Sequence, residues 1–386
     1  MNKVVVYLSV LLFVIACIYP LQAASVPPIA NFSYEVNDYD IMVNGSLSYD
    51  PDGFIVNYTW DFGDGSIAYG VEANHTYASE GIYEVSLTVR DDEEMTNSTS
   101  HTVFIDVTPP FTTYTPVPTP NGKNGWYVSN VEVELSATDN ISGVKTTYYR
   151  IDGNNWSVYT EPFILTSEGE HLLEYYSIDV SGNAEMVKGV EIKIDKTPPH
   201  TIFNISAQAE NGWYNEIVEV ILIPGDSISG VDKTFYRIDG GEWKEYAGNV
   251  SIGEGIHNFQ YFSIDFAGNS EKPRQQEIKI DMTPPEAKIY PEEGIYLFGR
   301  KLISSDTAII IGNITVRAEC SDNMAGVKLV EFYLDNSLRK VDDATPYEWE
   351  WNEFAIGQHE IKVIVYDAAG NEVTERQDVF IVNMKY

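Results

Sequence analysis

Along most of the chain, apolar and polar residues alternate with a period of two. Val85, Leu87 and Val89 share one face of the run 84–89. Val131, Val133 and Leu135 share a face of a second run, and Ile361, Val363 and Val365 of a third. Such alternation marks strands with one buried side. Asp50-Pro-Asp-Gly53, Asp64-Gly65, Asp152-Gly153, Asp239-Gly-Gly241 and Gly182-Asn183 punctuate the runs, and these residue types suit tight turns. No helical periodicity is sustained beyond the N-terminal apolar segment. Several short strands in every ~85 residues predict two-sheet sandwiches.

The chain also repeats itself. Asp-x-Thr-Pro-Pro begins at Asp106, Asp195 and Asp281. Asn-Gly-Trp-Tyr at 124–127, Ile-Ser-Gly-Val at 141–144 and Tyr-Arg-Ile-Asp-Gly at 149–153 return shifted by 87. Ser-Ile-Asp at 177–179 and Glu-Ile-Lys-Ile-Asp at 191–195 return shifted by 86, so one residue is lost between Gly153 and Ser177. A diverged copy keeps Asp322 with Ala325-Gly-Val327, Phe332-Tyr-Leu-Asp335 and Asp367-Ala-Ala-Gly-Asn371. Self-similarity at this period signals an array. The expected fold class is all-β, a tandem array of four Ig-like β-sandwich modules after an N-terminal signal helix. The expected boundaries are 1–24 for the signal, then 27–107, 111–196, 200–282 and 286–384.

The first module carries Tyr-Asp-Pro-Asp-Gly at 49–53, Trp60-Asp-Phe-Gly-Asp-Gly65 and His75-Thr-Tyr77. It resembles a PKD domain over residues 27–107. The resemblance implies an Ig-like sandwich used for extracellular binding or spacing, not for catalysis. The second and third modules resemble the bacterial Ig-like repeats of surface and secreted proteins, and the fourth does so more weakly. An array of this kind with dense glycosylation sequons is similar to archaeal cell-surface glycoproteins.

Charge and targeting agree with an extracellular location. A net charge of −34 on 386 residues repels nucleic acid and anionic lipid headgroups, and it attracts divalent cations. Lys3 followed by the apolar stretch 4–19, Pro20 and the small residues Ala23-Ala24 reads as a secretory signal peptide. A second reading takes Val14-Ile-Ala-Cys17 as a lipobox, which would leave Cys17 lipidated; the expected routes to a membrane are that lipid or an uncleaved N-terminal anchor. Cleavage would remove Cys17, and Cys320 alone cannot form an internal disulfide. Asn-x-Ser/Thr occurs ten times, at Asn31, Asn44, Asn57, Asn74, Asn97, Asn140, Asn155, Asn204, Asn249 and Asn313. Chance would give roughly three or four acceptors, so a glycosylated exterior is expected.

A catalytic constellation is not evident. The six His are scattered, and the chain has no His-Glu-x-x-His, Gly-x-Ser-x-Gly or phosphate-binding glycine loop. The chain is therefore expected not to be an enzyme. Trp126, Trp213, Trp156 and Trp243 suit either core packing or a sugar-stacking platform. The joints offer the sharper chemistry. In an Ig-like sandwich, the loop after the second strand and the last hairpin lie where the chain enters. Asp139 and Asp179 should then face Asp106, Asp226 and Asp265 should face Asp195, and Asp322 and Asp367 should face Asp281. Three carboxylates with loop carbonyls suit Ca²⁺, which takes about 6–8 oxygens. Turn capping by Asp alone is the competing reading. Thr-Pro-Pro between modules should be stiff, because proline fixes φ and restrains the residue before it. The expected function is that of a secreted or cell-surface glycoprotein, a rod for adhesion, envelope architecture or presentation of the first module. Its partner would be an extracellular protein or polysaccharide. The alternative is a carbohydrate-binding accessory protein.

Overall fold

The computed structural model describes residues 25–384, and every regular element among them is a strand. The expected signal helix and Cys17 lie outside the described residues. Contacts divide the chain into two compact units. Among the described residues, one holds 25–117 with Glu132–Ile164 and His171–Glu191, and the other holds Pro118–Val131, Leu165–Glu170 and 192–384. The division runs through the 111–196 repeat, not along the Thr-Pro-Pro linkers.

In the first unit, Ser33–Asn37, Asp40–Asn44 and Glu72–Thr76 form one sheet. Ile67–Tyr69, Ile55–Asp61, Gly81–Asp91 and Thr96–Ile105 form another. The alternation is why two faces can close on each other: Ile41, Val43, Val85, Leu87, Val89, Val103 and Ile105 are all buried. Trp60 and Phe62, two positions apart, point into the same core. Trp60 donates its indole N–H to the Gly70 carbonyl at 2.9 Å, and the Phe32 ring meets it edge-on at 5.0 Å. Gly63 has φ +79°, and a Cβ there would come 2.8 Å from the Glu84 carbonyl, so no other residue fits. Farther along this unit, Val144–Ile151 pairs antiparallel with Ser157–Tyr159 and with Gly169–Asp179.

In the second unit, residues 200–282 form a three-stranded sheet of His200–Ile205, Val218–Gly225 and Val250–Ile252. Facing it are Lys244–Glu245, Val231–Ile238, Gly255–Asp265 and Arg274–Ile280, and Val218, Val220, Leu222, Phe259, Ile278 and Ile280 are buried between them. Residues 286–384 form a larger version. Glu286–Tyr290, Ile314–Ser321 and Tyr347–Trp351 pack on a seven-stranded sheet ordered Arg300–Ile303, Gly294–Leu297, Ala308–Ile311, Glu372–Asn383, Ala355–Asp367, Val327–Leu334 and Ser337–Asp342. Ala308–Ile311 joins Glu372–Asn383 in parallel, as Trp126–Tyr127 joins Lys193–Ile194 and Tyr214 joins Ile280 in the earlier repeats; the added element is the hairpin of Gly294–Leu297 and Arg300–Ile303 at the sheet edge.

Two local devices recur. Asp152, Asp239 and Asp335 turn their hairpins with φ of 54°, 53° and 48°. Each then accepts an N–H at its Oδ2 from a histidine, His171, His257 or His359, at 2.8, 2.8 and 2.7 Å. The second device is a buried polar core. Thr201, Ser263 and Thr234 hydrogen-bond in series, and the Glu271 carboxylate accepts from the Thr201 hydroxyl and from the Thr201 and Ser263 amides. The preceding repeat builds the same set from Thr112, Ser177, Thr147 and Glu185. The diverged copy carries Ala287, Val365, Val330 and Val373 at these positions. It keeps the backbone and drops the whole network at once, as expected where half a buried network costs more than none.

Candidate functional site

Each Asp-x-Thr-Pro-Pro stretch is the floor of an acidic cluster. Asp106, Asp139 and Asp179 offer ligand atoms all within 4.8 Å of one another. So do Asp195, Asp226 and Asp265, and so do Asp281, Asp322 and Asp367. These are the nine residues the repeat spacing brings together. Asp179, Asp195, Asp265, Asp281 and Asp367 have 0% exposure, and the middle member of each triad is half-buried.

The three clusters are wired alike. The linker Asp accepts from the Thr amide two residues on, at 3.1, 3.0 and 3.1 Å, and from a loop amide, Ser142, Ser229 or Ala325, at 3.1, 3.0 and 2.9 Å. The middle Asp accepts the amides two and four residues later, as an Asx turn does. The last Asp accepts at Oδ1 from the Gly-Asn turn that follows it. One Asn then bridges the joint. Asn183, Asn269 and Asn371 each donate to the linker Asp carbonyl (2.8, 3.0 and 2.8 Å) and to the last Asp carboxylate (2.8, 2.9 and 2.7 Å). All these donors are neutral, so the carboxylates are hydrogen-bonded without being neutralised. Burial pushes the Asp265 carboxyl above its ordinary range, against the pull of Asn269, and the Asp195 charge pushes the same way.

The linker itself is clamped. Thr108, Thr197 and Thr283 donate their hydroxyls to Glu80, Glu168 and Glu254 at 2.8, 3.1 and 2.9 Å. The second proline, Pro110, Pro199 or Pro285, is buried each time, and the first is exposed. The stiffness expected of Thr-Pro-Pro thus has a tertiary contribution beyond proline's fixed φ.

Asn-Gly-Trp-Tyr acts at a distance the sequence does not show. Asn124 (φ 53°) and Gly125 form a tight turn whose Asn side chain donates to the Phe266 carbonyl at 2.9 Å, while the Lys123 amide donates to Ala267 at 2.8 Å. In the next copy Asn211 (φ 51°) donates to the Ala368 carbonyl at 3.0 Å, and Glu210 pairs with Lys328 at 2.7 Å. Each turn holds the last hairpin of the following repeat. Asn124, Asn211, the three bridging Asn and the three linker Glu escaped the sequence reading. Their only signal was recurrence at equivalent positions from one module to the next.

The tryptophans offer little open ring. Trp126 is 7% exposed and belongs with the packed core, not with a sugar platform. Trp156 and Trp243 are half-buried, with the Arg150 and Arg237 guanidinium groups 4.5 and 4.6 Å over their rings, and Trp213 is half-buried as well. Asn31, Asn74, Asn97, Asn140, Asn155, Asn204, Asn249 and Asn313 are exposed, while Asn44 and Asn57 are half-buried. Burial raises the Cys320 thiol to about 11, which keeps it protonated and inert.

These features define a modular all-β chain of sandwich domains. Residues 25–107 match the family model "PKD domain" and residues 304–363 match "Bacterial Ig domain", so the chain carries a PKD domain together with bacterial Ig-like sequence. Among curated proteins, the microbial collagenase of Vibrio alginolyticus is 52% identical over 65 residues, 17% of this chain and 8% of the collagenase. The pre-pro-metalloprotease PrtV of Vibrio cholerae is 34% identical over 82 residues, 21% of this chain and 9% of the protease. Less than a tenth of either relative is spanned. Among solved structures, the PKD1 domain of Vibrio anguillarum Epp is 36% identical, covering 22% of this chain and 99% of that domain, with a TM-score of 0.21. The matched families are non-catalytic modules, and the similarity does not extend over the remainder of the collagenase or protease.

Proposed function

We propose that this chain is a secreted or cell-surface, non-enzymatic glycoprotein whose β-sandwich modules are joined through divalent-cation clamps, with Ca²⁺ the fitting ion. It would serve adhesion, envelope architecture or presentation of the PKD domain. The observation that carries the reading is the threefold recurrence of a mostly buried carboxylate triad with the same wiring at each linker. Three carboxylates crowded this closely repel one another in a site of reduced dielectric, and a hard cation with oxygen ligands removes that cost. The export signal read from residues 4–24 and the presence of PKD sequence in bacterial collagenases and proteases support an extracellular setting. Isothermal titration with Ca²⁺ after chelation tests the clamp. Three sites per chain are expected, and no heat of binding up to about 10 mM, the weak end of extracellular modules, defeats it. The carbohydrate-binding alternative draws no support from the tryptophans, since arginines cover Trp156 and Trp243 and Trp126 is buried.

A further inference from the structure

The end of the 286–384 segment departs from the pattern of the other module ends. In the preceding modules, the strand pair closes with Gly81 opposite Ile105 and Gly255 opposite Ile280. One residue beyond each pair sit the two acids of the joint, Glu80 with Asp106 and Glu254 with Asp281. In the last segment, Gly357 is opposite Ile381, and the next pair outward is Ile356 with Val382. Both acids have become aliphatic. The Thr-Pro-Pro clamp cannot form there, and an apolar surface stands in its place.

That surface continues across the sheet. Register places Arg300, Leu297, Ile311, Val382 and Ile356 in one row over five strands, with Phe380 one row inward. The opposite faces of these strands, through Tyr296, Ile310 and Ile381, are buried in the core. The row is therefore the outer face of the sheet. Phe298 closes it: its amide donates to the Ile311 carbonyl at 2.8 Å, and its ring lies where a Cβ on Gly312 would be. Phe298 is 69% exposed and has φ 44°. A bulky side chain in the left-handed region is strained, and strain that holds an apolar ring out in water invites a functional reading.

We propose that this face self-associates, its occupant being the same face of a second copy of the chain. The area fits. Leu297, Phe298, Ile311, Phe354, Ile356 and Phe380 are between 39% and 69% exposed. With whole aromatic side chains at about 150–250 Å², these six offer roughly 600 Å², at the upper limit for a patch left open on a monomer. Two copies would bury roughly 1,200 Å², the lower bound for a specific stable interface. Charge also fits. The chain carries −34 overall, yet the row contains one cation and no carboxylate. A two-fold axis along the strands would lay the row of one copy across the row of the other, so that the aliphatic positions meet and no carboxylate of the row opposes another. Such an axis makes the contact self-complementary and closed, so a dimer is the product. The proposal stands apart from the cation clamps, which lie at other places in the fold.

Sedimentation equilibrium of the exported chain, run in chelator and again in Ca²⁺, tests it. The expected result is a monomer–dimer equilibrium with a Kd on the order of 1–10 µM in both conditions. Ile356→Glu combined with Val382→Asp restores the acids of the other module ends and should weaken association at least ~100-fold, because like charges then meet in the contact. Phe298→Gly removes the ring and suits the positive φ, so the fold is kept; it should weaken association at least ~10-fold. Ile202→Glu, which charges an exposed aliphatic residue elsewhere, should leave the dimer intact. A wild-type chain that stays monomeric to about 100 µM overturns the proposal. So does assembly that grows past the dimer, a dimer that survives both patch variants, or one that Ile202→Glu disrupts equally.

Discussion

Asp265→Asn distinguishes a cation clamp from a set of capped turns. Asp265 is fully buried, and its Oδ1 accepts from the Gly268 and Asn269 amides at 2.6 and 2.7 Å. Its Oδ2 accepts from Asn269 Nδ2 at 2.9 Å. Asparagine is nearly isosteric and keeps the Oδ1 acceptor, but it turns an amide against Asn269 and loses one hydrogen bond, about 1 kcal/mol. Against this, the folded-state carboxyl has a raised pKa. A raised acid pKa means folding disfavours the ionised form: the group's contribution is most favourable at low pH and is lost as pH rises through the folded value. At pH 7 the substitution relieves that cost, and in chelator the two effects should cancel to within about 1 kcal/mol. With Ca²⁺ the balance changes. At about 10 mM ion and a Kd of 10⁻⁴–10⁻³ M, mass action stabilises the wild-type joint by about 1.4–2.7 kcal/mol. For one module that is an upward shift on the order of 6–20 °C. The variant should lose this gain at one joint only, so calorimetric titration should fall from three sites to two while scanning calorimetry in chelator stays nearly unchanged. A wild-type melting profile identical in chelator and Ca²⁺, or a variant that keeps all three sites, refutes the clamp and leaves turn capping.

Other consequences can be checked separately. Glu271→Val should destabilise by ~3–5 kcal/mol in denaturant melts, since it strands the Thr201 and Ser263 donors in the core; adding Thr201→Ala, Thr234→Val and Ser263→Val should recover part of that loss, and strict additivity would contradict the network. Asp239 bonding holds the His257 pKa above its ordinary 6.5, so its contribution is complete below 6.5 and fades as pH rises through the folded value. His257→Asn should therefore cost more at pH 5.5 than at pH 8, by up to about 1 kcal/mol, and an equal cost at both would be contrary. In a glycosylating host, peptide mass mapping should find glycans at exposed Asn155, Asn204 and Asn313. The half-buried Asn44 and Asn57, bonded to Glu72 and Thr59, should remain bare; full occupancy at those two would reverse the burial argument.

The all-β fold was legible because alternation reports burial directly: Val85, Leu87 and Val89 are each fully buried. The Asp triads were legible because a repeat turns sequence spacing into spatial equivalence, and the entry end of a sandwich is fixed by topology. The supporting residues were not. Asn183 read as half of a turn, because its second partner, the Asp106 carbonyl, lies 77 residues away. Glu168 looked like any acid in an acidic chain until Thr197 closed on it. Trp126 and Trp156 share a residue type, and only packing separates the buried ring from the arginine-covered one. The apolar end at Ile356 and Val382 was hidden because the diverged copy shares no words with its neighbours there, and equivalence appears only through strand register.

The Asn-Gly turns give a final test of how the repeats communicate. Asn211 is exposed, and it contributes two separable things: a left-handed backbone and a side-chain tether to Ala368. Alanine would forfeit both, adding about 1–2 kcal/mol for the left-handed conformation to the loss of the bond. Glycine keeps the backbone and removes the tether alone. Asn211→Gly should therefore cost about 0.5–1.5 kcal/mol, all of it in the coupling between residues 200–282 and 286–384. Coupled domains melt together, and weakening the coupling separates their transitions. Scanning calorimetry should show one broadened or split endotherm for Asn211→Gly where the parent shows a sharper one, with the total enthalpy preserved. If the glycine variant melts as the parent does, the tether carries no coupling, and the joint is held by its other contacts: the Asp281–Asn371 bridge, the Ala325 amide on Asp281, the Glu210–Lys328 pair and the buried Pro285.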